Sequence, residues 1–142
     1  MMTFRNSREI AAPPSKVFAA FEDPERLALW WGPDGFSNTF EAFEFAPGGK
    51  WSFVMTGPDL KNYPNKIMVT DIESHRRVGI HHVSPPRYRL TMTLEPTPEG
   101  GTLASWNQEF ENPDVGRRME RIVVPANEEL LERLSAEVAR LG

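Results

Sequence analysis

The stretch NPDVGRRMERIVVPANEELLERLSAEVARL, residues 112–141, decides the fold. Upstream of it the apolar residues recur at every second position. From Asn112 onward they recur at the 3.6-residue spacing of an α-helix. Val115, Met119, Ile122, Val123, Ala126, Leu130, Leu134, Val138 and Leu141 fall on one stripe. Asn112 offers a capping oxygen, and Pro113 takes the first helical position, where a missing N–H costs nothing. The predicted helix is roughly 40 Å long at 1.5 Å per residue, enough to cross a whole sheet. Pro125 lies inside it, removes one backbone hydrogen bond and is expected to kink it. Opposite the stripe, Glu128, Glu129 and Glu132 read as solvated.

The segments before the helix read as strands. Tyr88, Leu90, Met92 and Leu94 point to one face while Arg87, Arg89, Thr91 and Thr93 point to the other. Glu99-Gly100-Gly101 turns the chain, and Ala104, Trp106, Gln108 and Phe110 share one face of the last strand. Earlier strands are expected at Thr3–Ile10, Thr39–Phe45, Lys50–Thr56, Asn65–Ile72 and Arg77–Val83. In Lys50–Thr56, Trp51, Phe53 and Met55 point one way. In Thr39–Phe45 the alternation puts Phe43 and Phe45 on one face and Phe40 and Ala42 on the other, which predicts a strand covered on both sides. Tight turns such as Pro47-Gly48-Gly49 and Gly57-Pro58-Asp59 imply antiparallel pairing.

Two short helices fill the gap after the first strand. One runs from Pro14 to Phe21, with Val17, Phe18 and Phe21 on one side. The second is capped by Asp23, opens with Pro24 and Glu25, and runs out at Trp30-Trp31 before Gly32-Pro33 and Asp34-Gly35. The order predicts an α+β fold: a curved antiparallel sheet of six or seven strands whose apolar face is covered by one long C-terminal helix. Residues 1–142 read as one domain.

Composition narrows the function classes. With 142 residues, 39% hydrophobic and 25% charged, the chain has the makeup of a soluble globular protein. A net charge of −4 with scattered basic residues argues against a nucleic-acid binder. The absence of cysteine removes disulfides, thiolate catalysis and Cys-based zinc sites. The first residues mix Arg5, Arg8 and Glu9 with apolar ones, so no secretory signal is expected. No segment approaches the ~20 apolar residues of a membrane span. The expected location is cytoplasmic.

The faces that meet under the helix carry Trp51, Phe53, Met55, Tyr88, Met92, Trp106 and Phe110, joined by Met119 and Val123 from the helix. Trp30 and Trp31 stand near one end. Two readings stay open: a solid core, or the walls of a small-molecule cavity. Alternation also sends Asn65, His82, Gln108 and Asn127 inward, and buried polar groups need partners. Four of them converging favours a ligand or bound water over dry packing. His81 and His82 are adjacent on a strand and face opposite sides, so they cannot share a metal, and no helical ligand spacing exists. Neither a metal nor a cofactor is expected. His82 suits either a general acid–base role or a hydrogen-bonded pocket position. The serines lack a Gly-x-Ser-x-Gly elbow, the double glycines open no helix, and no nucleophile has an assigned base.

The residues Pro13-Pro14-Ser15-Lys16-Val17-Phe18, Asp23-Pro24-Glu25-Arg26-Leu27 and Trp30-Trp31-Gly32-Pro33 resemble the START-like (SRPBCC) superfamily, which implies a helix-grip fold. Pro47-Gly48-Gly49-Lys50-Trp51 followed by Gly57-Pro58-Asp59 is similar to the branch named after activators of the heat-shock-protein-90 ATPase. Members of that branch often carry a Gly-Trp pair where this chain has Ala126-Asn127, a change that would enlarge and polarise a cavity. Three functions follow as expectations. The first is binding of an apolar or aromatic small molecule between sheet and helix. The second is a cyclase, dehydratase or hydrolase using the same cavity, with His82, Tyr88 and Gln108 as polar actors. The third is a co-chaperone acting through its surface, which the resemblance alone implies. A homodimer is compatible with all three.

Overall fold

The computed structural model describes residues 2–141, with side chains through Arg140, so Leu141 of the helical stripe lies outside the described side chains. The elements are β1 (Met2–Ile10), α1 (Pro14–Glu22), α2 (Pro24–Trp30), β2 (Ser37–Phe43), β3 (Lys50–Thr56), β4 (Asn62–Glu73), β5 (Arg77–His82), β6 (Tyr88–Pro96), β7 (Thr102–Phe110) and α3 (Pro113–Leu141). The seven strands form one antiparallel sheet in the order β1-β7-β6-β5-β4-β3-β2. From β2 to β7 each strand pairs with the next, as short turns dictate. The pair α1–α2 carries the chain from one edge of the sheet to the other. This is the α+β architecture that the change of period predicts, in the helix-grip form that the resemblance implies.

Local chemistry sets the helix starts. The Asp23 carboxylate accepts from the Glu25 amide at 2.9 Å, and Asn112 Oδ1 accepts from the Asp114 amide at 2.9 Å. From there α3 runs 29 residues as one helix with Pro125 inside it. It lies against β1, β7, α1 and α2.

Three expectations about side-chain placement change in the structure. First, the pairing of β2 with β3 shifts between Phe40 and Ala42. That bulge breaks the alternation, so Phe40, Phe43 and Phe45 all pack on the core while Ala42 is exposed. β2 is an edge strand and is not covered on both faces. Second, the stripe on α3 is displaced: Ile122 is 67% exposed, whereas Leu131 and Glu137 are buried. Glu137 is held by Arg26 at 2.8 Å and Arg140 at 2.7 Å. Hydrogen bonding from Arg140 is the main reason its carboxyl titrates below the usual range; burial opposes this and Arg26 reinforces it. Third, two glutamates read as solvated are engaged. Glu128 accepts from Asn6 Nδ2 at 2.6 Å and Glu129 from the Asp34 amide at 3.0 Å, tying α3 to β1 and to the turn after α2.

The closed core sits beneath the C-terminal half of α3. Val17, Ala20, Leu27, Trp30 and Leu134 have no solvent exposure. The Trp30 indole N–H donates to the Ala20 carbonyl at 3.0 Å, which settles the one polar atom of that buried ring. Phe53 stacks on Phe40 with centroids 4.7 Å apart, and Trp51 stacks on Phe43 at 5.1 Å.

Candidate functional site

Under the N-terminal half of α3 the packing opens. A half-open cavity of about 230 Å³ lies between that helix, the inner face of β3–β7 and the loop after α2. Its apolar wall comes from Trp31, Met55, Leu90, Trp106, Phe110, Met119, Ile122, Val123 and Leu130, and its polar wall from Asn65, His82, Tyr88, Gln108 and Asn127. Gly32, Pro33, Pro86 and Ala126 complete it. A larger and more polar depression, about 680 Å³, lies at the surface between Pro14 and the β4–β5 turn. It is a groove of turns with charged walls and encloses nothing.

Of the residues singled out in the sequence, Trp31, Met55, Asn65, His82, Tyr88, Trp106, Gln108, Phe110, Met119, Val123 and Asn127 are brought together here. Trp30, Trp51, Phe53 and Met92 lie outside the lining, in the closed core, each 1% exposed or less. Trp31 separates the two regions. Its ring meets Trp30, Trp51 and Trp106 at centroid distances of 5.7, 5.8 and 5.6 Å while another part of it forms cavity wall.

The loop from Trp31 to Phe36 is set by contacts that sequence reading missed. Arg133, one turn beyond the cavity on α3, donates to the carbonyls of Leu29 (2.8 Å), Gly32 (2.8 Å), Pro33 (2.8 Å) and Phe36 (3.0 Å). A guanidinium has five donors and suits such a cluster. The carbonyls at the end of α2 are thereby satisfied, and Gly32 and Pro33 are fixed as wall. Gly32 has φ +91, and a Cβ there would lie 2.6 Å from the Met55 methyl carbon. The position calls for glycine because of its positive φ, since the Met55 methyl is the free end of a flexible side chain and can move aside.

His82 is 3% exposed. Its Nδ1 faces two carbonyl oxygens, Ser84 at 2.7 Å and Pro86 at 2.8 Å, and its Nε2 lies 2.5 Å from the Asn65 side-chain amide. Burial pushes its pKa below the ordinary histidine value; the Pro86 and Ser84 carbonyls oppose this and His81 adds to it. Carbonyls only accept, so Nδ1 carries a proton, while Asn65 gives its amide N–H to the Tyr63 carbonyl at 2.8 Å and turns its Oδ1 toward Nε2. Tyr88 pairs with His82 across the strands, and the rings stack at 4.5 Å and 8°. Burial raises the Tyr88 phenol pKa, so it stays protonated.

Gln108 and Asn127 face each other across the cavity: Asn127 Nδ2 donates to Gln108 Oε1 at 3.0 Å. Both are more than nine-tenths buried. The partner of Asn127 is thus Gln108, while His82 is engaged by Ser84, Pro86 and Asn65. On the opposite face of β5, His81 meets Glu111 at 2.6 Å, and Arg87 meets the same carboxylate at 3.0 Å. Hydrogen bonds from Arg87 and then His81 keep the Glu111 carboxyl below its usual range.

Comparison with known proteins agrees with this architecture. The family model for Activator of Hsp90 ATPase homolog 1-like protein matches residues 11–139, and the chain belongs to that family. Among solved structures, a solution structure of a protein from Arthrobacter aurescens is 28% identical with a TM-score of 0.88, covering 97% of this chain and 86% of that one. A crystal structure from Rhodobacter sphaeroides is 25% identical with a TM-score of 0.86, covering 99% and 94%. A protein from Nitrosomonas europaea shares the fold at 19% identity, with a TM-score of 0.88 and coverage of 99% and 96%. No protein of curated function matches the sequence. Among the described residues no helix is long and apolar enough to cross a membrane.

Proposed function

We propose that this protein binds an apolar or aromatic small molecule in the cavity between the sheet and the N-terminal half of α3. One observation carries the reading. The cavity wall is aromatic and aliphatic, yet two amide side chains that are almost wholly buried project into it. Apolar walls with a few convergent polar groups are what small-molecule sites present. The helix-grip fold, which typically holds hydrophobic ligands, agrees with this.

Catalysis by the same cavity has less support. Both ring nitrogens of His82 are already engaged, and Tyr88 is held protonated. The wall therefore offers no free base. A co-chaperone role has the family name behind it and no feature of the described surface.

Native mass spectrometry of protein purified without denaturant tests the reading, together with a thermal-shift screen of uncharged aromatic compounds. A ligand at ~100 times its Kd stabilises by about 2.7 kcal/mol, which raises Tm by several degrees in a chain of this size. The expected result is a bound mass that is lost on denaturation, or compounds that give such a rise. Ligand-free protein whose Tm no compound moves would refute the reading.

A further inference from the structure

The paired amides specify more than polarity. One hydrogen bond joins Asn127 to Gln108, and it uses one N–H and one carbonyl oxygen. A carboxamide has both a donor and an acceptor, so the pair retains an N–H₂ donor on one side chain and a carbonyl acceptor on the other. Turning both amides over together exchanges the roles and leaves the same remainder, whereas turning one alone would set two oxygens or two N–H₂ groups against each other. As placed, the remainder is Gln108 Nε2 and Asn127 Oδ1. Neither has a hydrogen-bond partner among the described residues, and neither is sealed from solvent, unlike the orphaned Asn6 and Asn38 oxygens. They open into the cavity that both residues line.

The Tyr88 hydroxyl is a third such group. Strand pairing sets Tyr88 opposite Phe110 and Leu90 opposite Gln108, so Tyr88 sits on the same face, one diagonal from Gln108. Its hydroxyl has no protein partner among the described residues, and it is a donor and an acceptor at once.

Charge completes the picture. The described lining holds no Asp, Glu, Lys or Arg, and both ring nitrogens of His82 are already taken by oxygens of Ser84, Pro86 and Asn65. A carboxylate or ammonium placed here would lose its hydration without gaining a counter-ion, at a cost of several kcal/mol. A purely apolar molecule would leave the three polar groups unpaired, which is also costly.

We infer that the occupant is an uncharged ring compound whose polar edge carries an N–H donor beside a carbonyl acceptor: a lactam or aromatic carboxamide. Its carbonyl accepts from Gln108, its N–H donates to Asn127, and its ring lies against Trp31, Trp106 and Phe110. This rests on the binding reading above and goes further by naming the chemistry of the head group.

Four bicyclic probes of similar size separate the two statements. They are 2-quinolinone, its N-methyl derivative, naphthalene and the anion of 2-naphthoic acid, titrated into the purified full-length protein by calorimetry with amide NMR shifts as the second readout. The expected result is that 2-quinolinone binds about tenfold or more tightly than each of the others, with NMR shifts at Gln108 and Asn127. Asn127→Leu should erase that preference while naphthalene still binds. Equal affinity for 2-quinolinone and N-methylquinolinone, or tighter binding of the naphthoate, would overturn the head-group inference and leave the binding reading standing. Binding of none of the four would overturn both. The wild-type series decides the matter without the variant.

Discussion

The two halves of α3 differ in what they cover. Past Leu130, the last of its residues to line the cavity, the helix is seated: Leu131, Leu134 and Val138 are buried to 3% exposure or less, and Glu137 is locked between two arginines. Before Pro125 the same helix is only partly seated. Val115 and Met119 are half-buried, Ile122 is exposed, and Val123 packs in a small separate cluster with Phe4 and Phe110. One half gains stability from a filled core, and the other spans a void. A close-packed interior and a usable cavity cannot occupy the same place, so the fold assigns them to opposite ends of one helix. Trp31 marks the border.

Leu134→Ala should give the largest effect that separates the halves. The side chain is fully buried, and truncation should cost about 2–5 kcal/mol in a denaturant melt. If it costs no more than Met119→Ala, the division of the helix is wrong. Arg133→Met comes next, because it strips donors from the carbonyls of the cavity loop. A loss of about 1–3 kcal/mol is expected, along with new exchange broadening in NMR spectra of residues 31–36. The same loss with an unperturbed loop would mean that Arg133 serves the core alone.

A smaller effect is expected on mild acidification, and it belongs to the cavity half. His82 has a folded-state pKa below its unfolded value of about 6.5. The unfolded chain therefore takes up a proton first. Stability is full above that value and falls as pH drops from about 6.5 toward the lowered folded pKa. Glu111 and Glu137, also lowered, contribute losses only further down, below the ordinary carboxylate value of 4.5. Denaturant midpoints at pH 7.5 and 5.5 should differ for the wild type and less for His82→Gln; an equal difference would clear His82. The smallest change is Ile122→Ala. Despite lining the cavity mouth, the residue is 67% exposed, so stability should move by about 0.5 kcal/mol or less. A larger loss would show that the cavity half is closed in solution.

The amino-acid sequence by itself determined the architecture. Seven segments of period two, two capped short helices and one long stripe of period 3.6 leave few ways to bury their apolar faces, and tight turns dictate antiparallel neighbours. It also determined most of the residues that face inward, because alternation along a strand and the 3.6-residue spacing of a helix are local properties of the backbone; Phe40 and Ile122 are exceptions. Tyr88, Gln108 and Asn127 were legible for that reason. What only the tertiary structure decided is which inward residues touch each other and which border a void. Trp51 and Met55 share a strand face, yet one is core and the other cavity wall, since Trp51 packs against Trp31 and Phe43 while Met55 ends beside Gly32 at the cavity. A bulge at Phe40 turned one side chain across its sheet. Arg133 reaches a loop a hundred residues away and carries no signal in its own neighbourhood. Period and propensity are set by nearest neighbours along the chain, whereas packing volume and hydrogen-bond partners are set by groups that meet only after folding.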